Sequence, residues 1–467
     1  MPSKHWTAWL FIFLLLLTAV FAAVRKIKKE RKYMIEKTEA WGGVAITRHK
    51  LRNGLDIILA LDKNVPVFAY HTWFNVGSRH EKKGKTGIAH FFEHLLFKET
   101  QNLKEGEFDR IMEANGAITN AATWVDWTYY HEVLPSDPEK MELVIRLEAD
   151  RMSHMILNEK QIESERGVIQ NERRFRVDND IDGAMNEKLD SMAYRIHPYG
   201  QPTIGWMEDI SKLNLQDCIY FYKTYYAPNN ATLIVVGNFD QEKVLAWIEE
   251  YYGSIPSSEI QELEIPKEPP QRSERRVTLE RDDIDTEKAI YAYHATDYKH
   301  RDTPALELLS EILFNGEGSR LYKRMVIDEE IATQISATLP HFKDPALFQI
   351  AVSMRKGHAV KKADERIFKE IGKIQKEGVN QKELDRAKNR FEMDYYRGFE
   401  SVNGKARALG HYHVISGDYK TALHLLDGYQ VVTTADIQEV AKNYLAASNR
   451  TVVVAVPKRL KVKKRRK

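Results

Sequence analysis

One cysteine, Cys218, in a chain of 467 residues excludes an intramolecular disulfide and any cysteine-rich zinc module. A metal site, where one exists, must then use histidine and carboxylate. Glycine (24) and proline (15) are ordinary in number, and 43% hydrophobic against 29% charged residues excludes a disordered or collagen-like chain. The sequence offers no glycine-rich phosphate loop and no Ser-His-Asp set that spacing supports. Long apolar runs are nearly missing as well. The one example, TAWLFIFLLLLTAVFAAV at 7–24, holds eighteen uncharged residues, the lower end of what spans a bilayer. It has no polar face, so it reads as a signal peptide or a membrane anchor rather than a core helix. Val20-Phe21-Ala22, with a small residue at its end, offers a cleavage site, but the cations that follow resist translocation. The expectation is a retained single span with the flanking charge favouring the cytoplasmic side, and a cleaved periplasmic form is the second reading.

The net charge of +3 conceals an asymmetry. Residues 458–467 carry +8 and residues 25–32 carry +5, which leaves −10 on the rest. An acidic body between basic ends does not suit nucleic acid. Basic ends suit anionic lipid headgroups, each cation contributing roughly 1 kcal/mol near the surface.

The length is about three times the usual ~150-residue domain, so one core is not expected. Pro256, Pro266, Pro269 and Pro270, mixed with charge, mark an extended linker. The expected division is an anchor or signal segment with its basic flank (1–34), an N-terminal domain (35–258), a linker (259–275), a C-terminal domain (276–457) and a basic tail (458–467). A repeat supports the cut: Asp217, Tyr225, Asn230 and Thr232 recur as Asp436, Tyr444, Asn449 and Thr451, each offset by 219. Strand patterns at 55–59, 67–75, 127–134 and 232–236 come in adjacent runs, and helical patterns lie at 87–97, 105–114, 138–152 and 159–174. The predicted fold class is α+β: two duplicated domains, each a largely antiparallel sheet with helices on one face, preceded by the transmembrane or signal helix.

The informative stretch is His90-Phe91-Phe92-Glu93-His94. On a helix, residues four apart share a face, so both imidazoles reach one ion, and Glu93 lies beside it. This is the inverted zinc signature H-x-x-E-H. Catalytic zinc takes a third protein ligand, and 158–176 offers Glu165 and Glu172, seven apart and on one helical face. Spacing does not choose between them. His411 and His413 find no third ligand, and the alternation 411–413 reads as a strand or turn. The aromatic group Trp124, Trp127, Tyr129 and Tyr130 reads as packing or a cleft wall.

These motifs resemble the pitrilysin and mitochondrial processing peptidase family of inverted-motif zinc peptidases, and most closely its two-domain bacterial members. The likeness runs from about Val44 to Pro457. It also rests on Asn120-Ala121-Ala122-Thr123, Leu147-Glu148-Ala149-Asp150-Arg151-Met152 and His197-Pro198-Tyr199-Gly200. The resemblance implies that His90, His94 and Glu172 hold Zn²⁺, that Glu93 is the general base, and that Glu165 supports the ligands. It further implies that Asn120, Ala121 and Thr123 align peptide substrates along a strand edge, which makes the chain a zinc metalloendopeptidase acting on extended or unfolded peptides. One departure bears on partners. After Gly316-Glu317-Gly318-Ser319-Arg320-Leu321, self-sufficient members carry an Arg and a Tyr seven apart; the aligned residues here are Val326 and Thr333, with Arg324 two positions off register. The implied partner is a related subunit without zinc that supplies the missing pair. A peptide-binding scaffold that does not cleave is the alternative.

Overall fold

A computed structural model describes residues 36–37, 41, 43–261 and 263–458. The apolar run 7–24, the basic segment 25–32 and tail residues 459–467 lie outside the described residues. Among those described, no helix is long and apolar enough to cross a membrane.

The first sheet comprises β1 (Glu36–Lys37), β2 (Ala45–Lys50), β3 (Asp56–Leu61), β4 (Val67–Phe74), β5 (Ile118–Thr123), β6 (Thr128–Pro135) and β7 (Ala231–Gly237), in the order β1-β2-β3-β7-β4-β6-β5. The second comprises β8 (Arg275–Arg281), β9 (Lys288–His294), β10 (Ala332–Thr338), β11 (Leu347–Met354) and β12 (Arg450–Pro457), in the order β10-β11-β9-β12-β8. All neighbours are antiparallel except β3–β7 and β8–β12. The chain is therefore a two-domain α+β protein. The strand order β3-β7-β4-β6-β5 reappears as β8-β12-β9-β11-β10.

The repeated residues do the same work in each half. Asp217 and Asp436 complete capping boxes with Asn214 and Thr433 at the starts of two helices. Asn230 and Asn449 each donate Nδ2–H to a tyrosine carbonyl, Tyr225 and Tyr444 respectively, at 2.8 Å. Thr232 and Thr451 each stand second in β7 and β12, which pair in parallel with β3 and β8 respectively.

The principal helices of the first half are α1 (Ile88–Leu95), α2 (Glu107–Ala114), α3 (Pro138–Ser153), α4 (Glu159–Arg173), α5 (Ile181–Ala193), α6 (Leu215–Tyr225) and α7 (Gln241–Tyr252). Those of the second are α8 (Thr303–Leu313), α9 (Val360–Glu377), α10 (Gln381–Gly398), α11 (Val402–Ser416) and α12 (Thr434–Tyr444). Most pack on one face of their own sheet and build its core.

Helices do not stop at one face, contrary to expectation. The other face of the first sheet is covered by α11 from the second half, which sets Val402, Ala406 and Leu409 against Ile58, Trp73 and Val236. The second sheet receives α5 from the first half, which sets Met185, Leu189 and Ala193 against Ala292 and Val453. The physical reason lies in the strands: β3 and β7 are apolar at successive positions and buried on both faces, which requires cover on each side. Close approach of α11 depends on Gly410, where a Cβ would stand 2.2 Å from Trp73 Nε1. Residues 411–413, expected as a strand or turn, lie within this helix. Ser401 caps its start and Gly417, at φ +79°, ends it. The aromatic group divides between faces: Tyr129 stacks on Trp73 behind the sheet, whereas Tyr130 is buried under α1.

Candidate metal centre

The sequence places α1 before any tertiary contact refines it. Its buried residues Ile88, Ala89, Phe91, Phe92 and Leu95 face the core, leaving His90, Glu93 and His94 on the opposite side. The start is tightly held. Gly87 has φ +87°, and a Cβ there would stand 2.6 Å from the Ile204 carbonyl oxygen, so only glycine fits. The buried Glu81 carboxylate accepts from the Gly87 and Ala89 N–H groups at 2.8 and 2.9 Å, filling donors that a helix start leaves open. At the other end Arg151 Nε donates to the Leu96 carbonyl at 3.1 Å. Its guanidinium lies over the rings of Phe97, Phe108 and Tyr130 and pairs with the buried Glu148. Neither Glu81 nor Arg151 stands out in the sequence as an individual site residue, although Arg151 lies in the segment 147–152 on which the family resemblance rests.

Three side chains from two helices converge. Glu172 Oε2, on α4, lies 3.7 Å from His90 Nε2 and 3.4 Å from His94 Nε2. One donor atom from each of the three lies within 4.8 Å of the others. Donors bound tetrahedrally at about 2.1 Å stand roughly 3.4 Å apart, so this set fits a zinc ion. Glu165 stands one step back: its Oε1 is 2.9 Å from His94 Nδ1 and its Oε2 is 2.6 Å from Lys98 Nζ. With Nδ1–H donating to Glu165, His94 turns the lone pair of Nε2 toward the ion site. Arg176 holds the outer oxygen of Glu172 at 2.8 Å.

The electrostatics agree with a cation site. Burial, reinforced by the neighbouring His94, pushes His90 down to about 4, so it is neutral and able to coordinate. His94 goes the other way: burial opposes its charge, but hydrogen bonds to Glu165 and Glu172 outweigh this and raise it to about 9. Glu172, which would face the dication, and Glu165 behind His94 together recruit a proton to the imidazole instead, and metal binding would release it. His90 Nδ1 and Glu93 Oε2 are buried without a hydrogen-bond partner among the described residues.

Glu93 points into a cleft of about 370 Å³, whose wall also includes His94, Phe97, Lys98, Asn120 and Ala121. Burial raises its carboxyl above the usual range, and a hydrogen bond to Thr123 partly counters that. Thr123 is buried on β5, and its hydroxyl accepts from Thr128 Oγ1 at 3.3 Å. Asn120 folds its Oδ1 onto the Ala121 N–H at 2.9 Å. β5 ends its sheet and pairs only with β6 among the described residues, so the edge beside α1 is open.

In the second half, Val326 packs partly buried against the core. Thr333 donates to the Ser353 carbonyl at 3.2 Å on β10. Arg324 pairs with Glu329 at 2.8 Å.

Comparison with known proteins places this geometry. Residues 57–206 match the family described as Insulinase (Peptidase family M16), and residues 212–391 match Peptidase M16 inactive domain. The zinc protease PqqE of Helicobacter pylori is 30% identical over 410 residues, covering 87% of this chain and 92% of the relative. The chain belongs to peptidase family M16. The M16 likeness extends to the zinc protease YmxG of Bacillus subtilis, 24% identical over 400 residues, covering 85% of this chain and 95% of that one. A protease structure from Helicobacter pylori aligns with TM-score 0.82 at 29% identity, covering 91% of this chain and 100% of the other. A structure from Pseudomonas fluorescens, titled as a peptidase M16 inactive domain, shares the fold with TM-score 0.79 at 17% identity over 88% and 98% of the two chains. The relatives' names make zinc the metal of the family, in accord with the donor set found here.

Proposed function

We propose that this M16 protein is a zinc metalloendopeptidase that hydrolyses extended peptides, with His90, His94 and Glu172 holding the ion. The observation that carries the reading is the convergence of these three donors beside the buried carboxylate of Glu93. Zinc bound there supplies Lewis acidity that lowers the pKa of a water toward about 7 and polarises the scissile carbonyl. Glu93 takes the proton of the attacking water and passes it to the departing amine as the C–N bond breaks. Thr123 holds Glu93 in place, and Glu165 fixes the tautomer of His94. Asn120 and Ala121 present the open edge of β5, to which an extended peptide adds as a further strand.

Val326 and Thr333 offer no guanidinium or phenol to the substrate. In our proposal a related subunit without the zinc motif supplies that Arg and Tyr, and the run 7–24 tethers the assembly to a membrane. The same two residues favour the second reading, a peptide-binding subunit that does not cleave. Purified chain should bind one zinc per molecule and cleave an unstructured peptide mixture when its partner is restored. Glu93→Gln should keep the zinc and lower turnover by at least about 10²-fold. A variant that cleaves at the wild-type rate would remove Glu93 from the mechanism, and a wild type that binds no zinc would remove the enzyme reading.

A further inference from the structure

Asp126 and the segment His197-Pro198-Tyr199-Gly200 take no part in the metal chemistry, yet they meet at one place on the seam between the halves. The matching strand orders make the β5–β6 turn (124–127) of the first sheet the counterpart of the β10–β11 turn (339–346) of the second. These two turns touch. Asp126 is fully buried, and its carboxylate accepts from the Lys343 N–H at 2.9 Å, the Tyr199 hydroxyl at 2.8 Å and Arg79 Nη1 at 3.2 Å. Arg79 reaches across to the other turn, with Nη2 2.8 Å from Asp344 Oδ2, and His197 Nε2 lies 3.2 Å from the same oxygen. The Tyr199 hydroxyl accepts in turn from the Asp344 N–H at 3.2 Å. Burial works against the Asp344 charge, but His197, Arg79 and Lys343 outweigh it and hold the carboxyl below its usual range. The backbone joins in: the Ser78 and Arg79 N–H groups donate to the Trp124 and Val125 carbonyls at 3.1 and 2.9 Å. Arg79 thus grips the first turn by main chain and side chain while its guanidinium holds the second.

Resting on the peptidase reading above, we infer that this turn-to-turn latch sets the free edge of β5 in the position that receives a peptide strand, with Asp126 and Asp344 as positioning residues. β5 pairs with β6 alone among the described residues, so the turn that joins them sets where its free edge lies. Strand addition needs N–H and C=O groups already placed for the guest. A turn free to swing would spread that edge over several positions, and the guest would lose affinity in ordering it. Neither aspartate touches peptide or metal in this scheme. His90, His94 and Glu172 stand on or beside α1 and α4, outside the latch, so zinc binding does not depend on it. A half that carries none of these three donors thereby governs peptide affinity in the half that does.

The test uses full-length protein treated with chelator, which leaves peptides intact, and reads binding of a labelled unstructured peptide by fluorescence anisotropy. Asp344→Asn, in the second half, should weaken peptide binding by about three- to tenfold, while zinc affinity in a chelator competition titration stays at the wild-type value. Tyr199→Phe removes only the shared hydroxyl and should give a smaller loss in the same direction; it keeps the test open if Asp344→Asn fails to fold. Asp56→Asn is the control, since it loosens the seam elsewhere without touching either turn. It should lower stability and leave peptide affinity unchanged. With zinc restored, Asp344→Asn should raise KM with kcat unchanged, as a loss of uniform binding does. Wild-type peptide affinity in both latch variants, or an equal loss in Asp56→Asn, overturns the latch and leaves the peptidase reading standing. A wild type that binds no peptide removes the strand-edge reading itself, and the latch with it.

Discussion

Glu165 shows how a residue that would not touch the ion can decide whether it binds. Its carboxylate meets His94 Nδ1 on one side and Lys98 on the other, and burial in that position is offset by those two hydrogen bonds, which leave it ionised. Glu165→Gln removes the charge that orients the imidazole, so zinc affinity should fall by about 10–100-fold in a chelator competition titration. An unaltered affinity would mean that His94 is held by packing alone. Burial raises Glu93, and a base must be deprotonated to act. The acid limb of kcat/KM should therefore report Glu93 and disappear in Glu93→Gln. Of the residues expected on the substrate strand, Thr123 turned inward to the base. Alternation along a strand separates its faces, but only the neighbouring helix determines which face meets Glu93.

At the scale of elements, α1 is a short helix locked at both ends, by Glu81 and Gly87 at the start and by Arg151 at the finish. Gly87→Ala adds a methyl group where the Ile204 carbonyl oxygen is 2.6 Å away and forces a residue with a side chain to φ +87°. This should cost about 1–3 kcal/mol and displace His90, so thermal midpoint and zinc occupancy should fall together. A stable variant with full zinc would show that the loop at 204–205 yields readily. The apolar face of α1 was legible from the order of its residues. Its anchorage was not, because Glu81 and Arg151 act on it through backbone groups that carry no sequence label.

The whole molecule is held by an exchange of helices. α11 closes the first sheet and α5 the second, so each half completes the core of the other. Gly410→Ala should separate α11 from Trp73 and destabilise the protein by about 1–3 kcal/mol, as overpacking does, with increased tryptophan exposure in emission spectra. Unchanged stability would indicate that the helix shifts without loss. Polar links border the same seam: Asp56 with Arg48 at 2.6 Å and His413 at 3.3 Å, and Asp62 with Lys405 at 2.7 Å. Burial disfavours the Asp56 carboxylate, but the His413 and Arg48 hydrogen bonds prevail and hold its pKa well below the usual range. A depressed carboxyl contributes stability above its unfolded value of about 3.9 and loses it as pH falls further. Stability measured in urea should thus drop below about pH 4, and Asp56→Asn should flatten that decline. An identical acid profile in the variant would exclude Asp56 from the seam's energetics.

The residues alone determined a great deal. H-x-x-E-H specifies two imidazoles and a carboxylate on one helical face because helical periodicity is local. The 219-residue offset marked equivalent positions in the two halves because capping and strand pairing repeat with the chain. Spacing left Glu165 and Glu172 equivalent, since both lie on the same face of α4. The family resemblance names Glu172 as the ligand, and the tertiary structure supplies the physical reason: the crossing of α1 and α4 brings Glu172 toward both Nε2 atoms and Glu165 toward Nδ1. Tertiary structure alone covers the second face of each sheet, since a continuous apolar strand demands two partners but does not say which distant helix will be one of them.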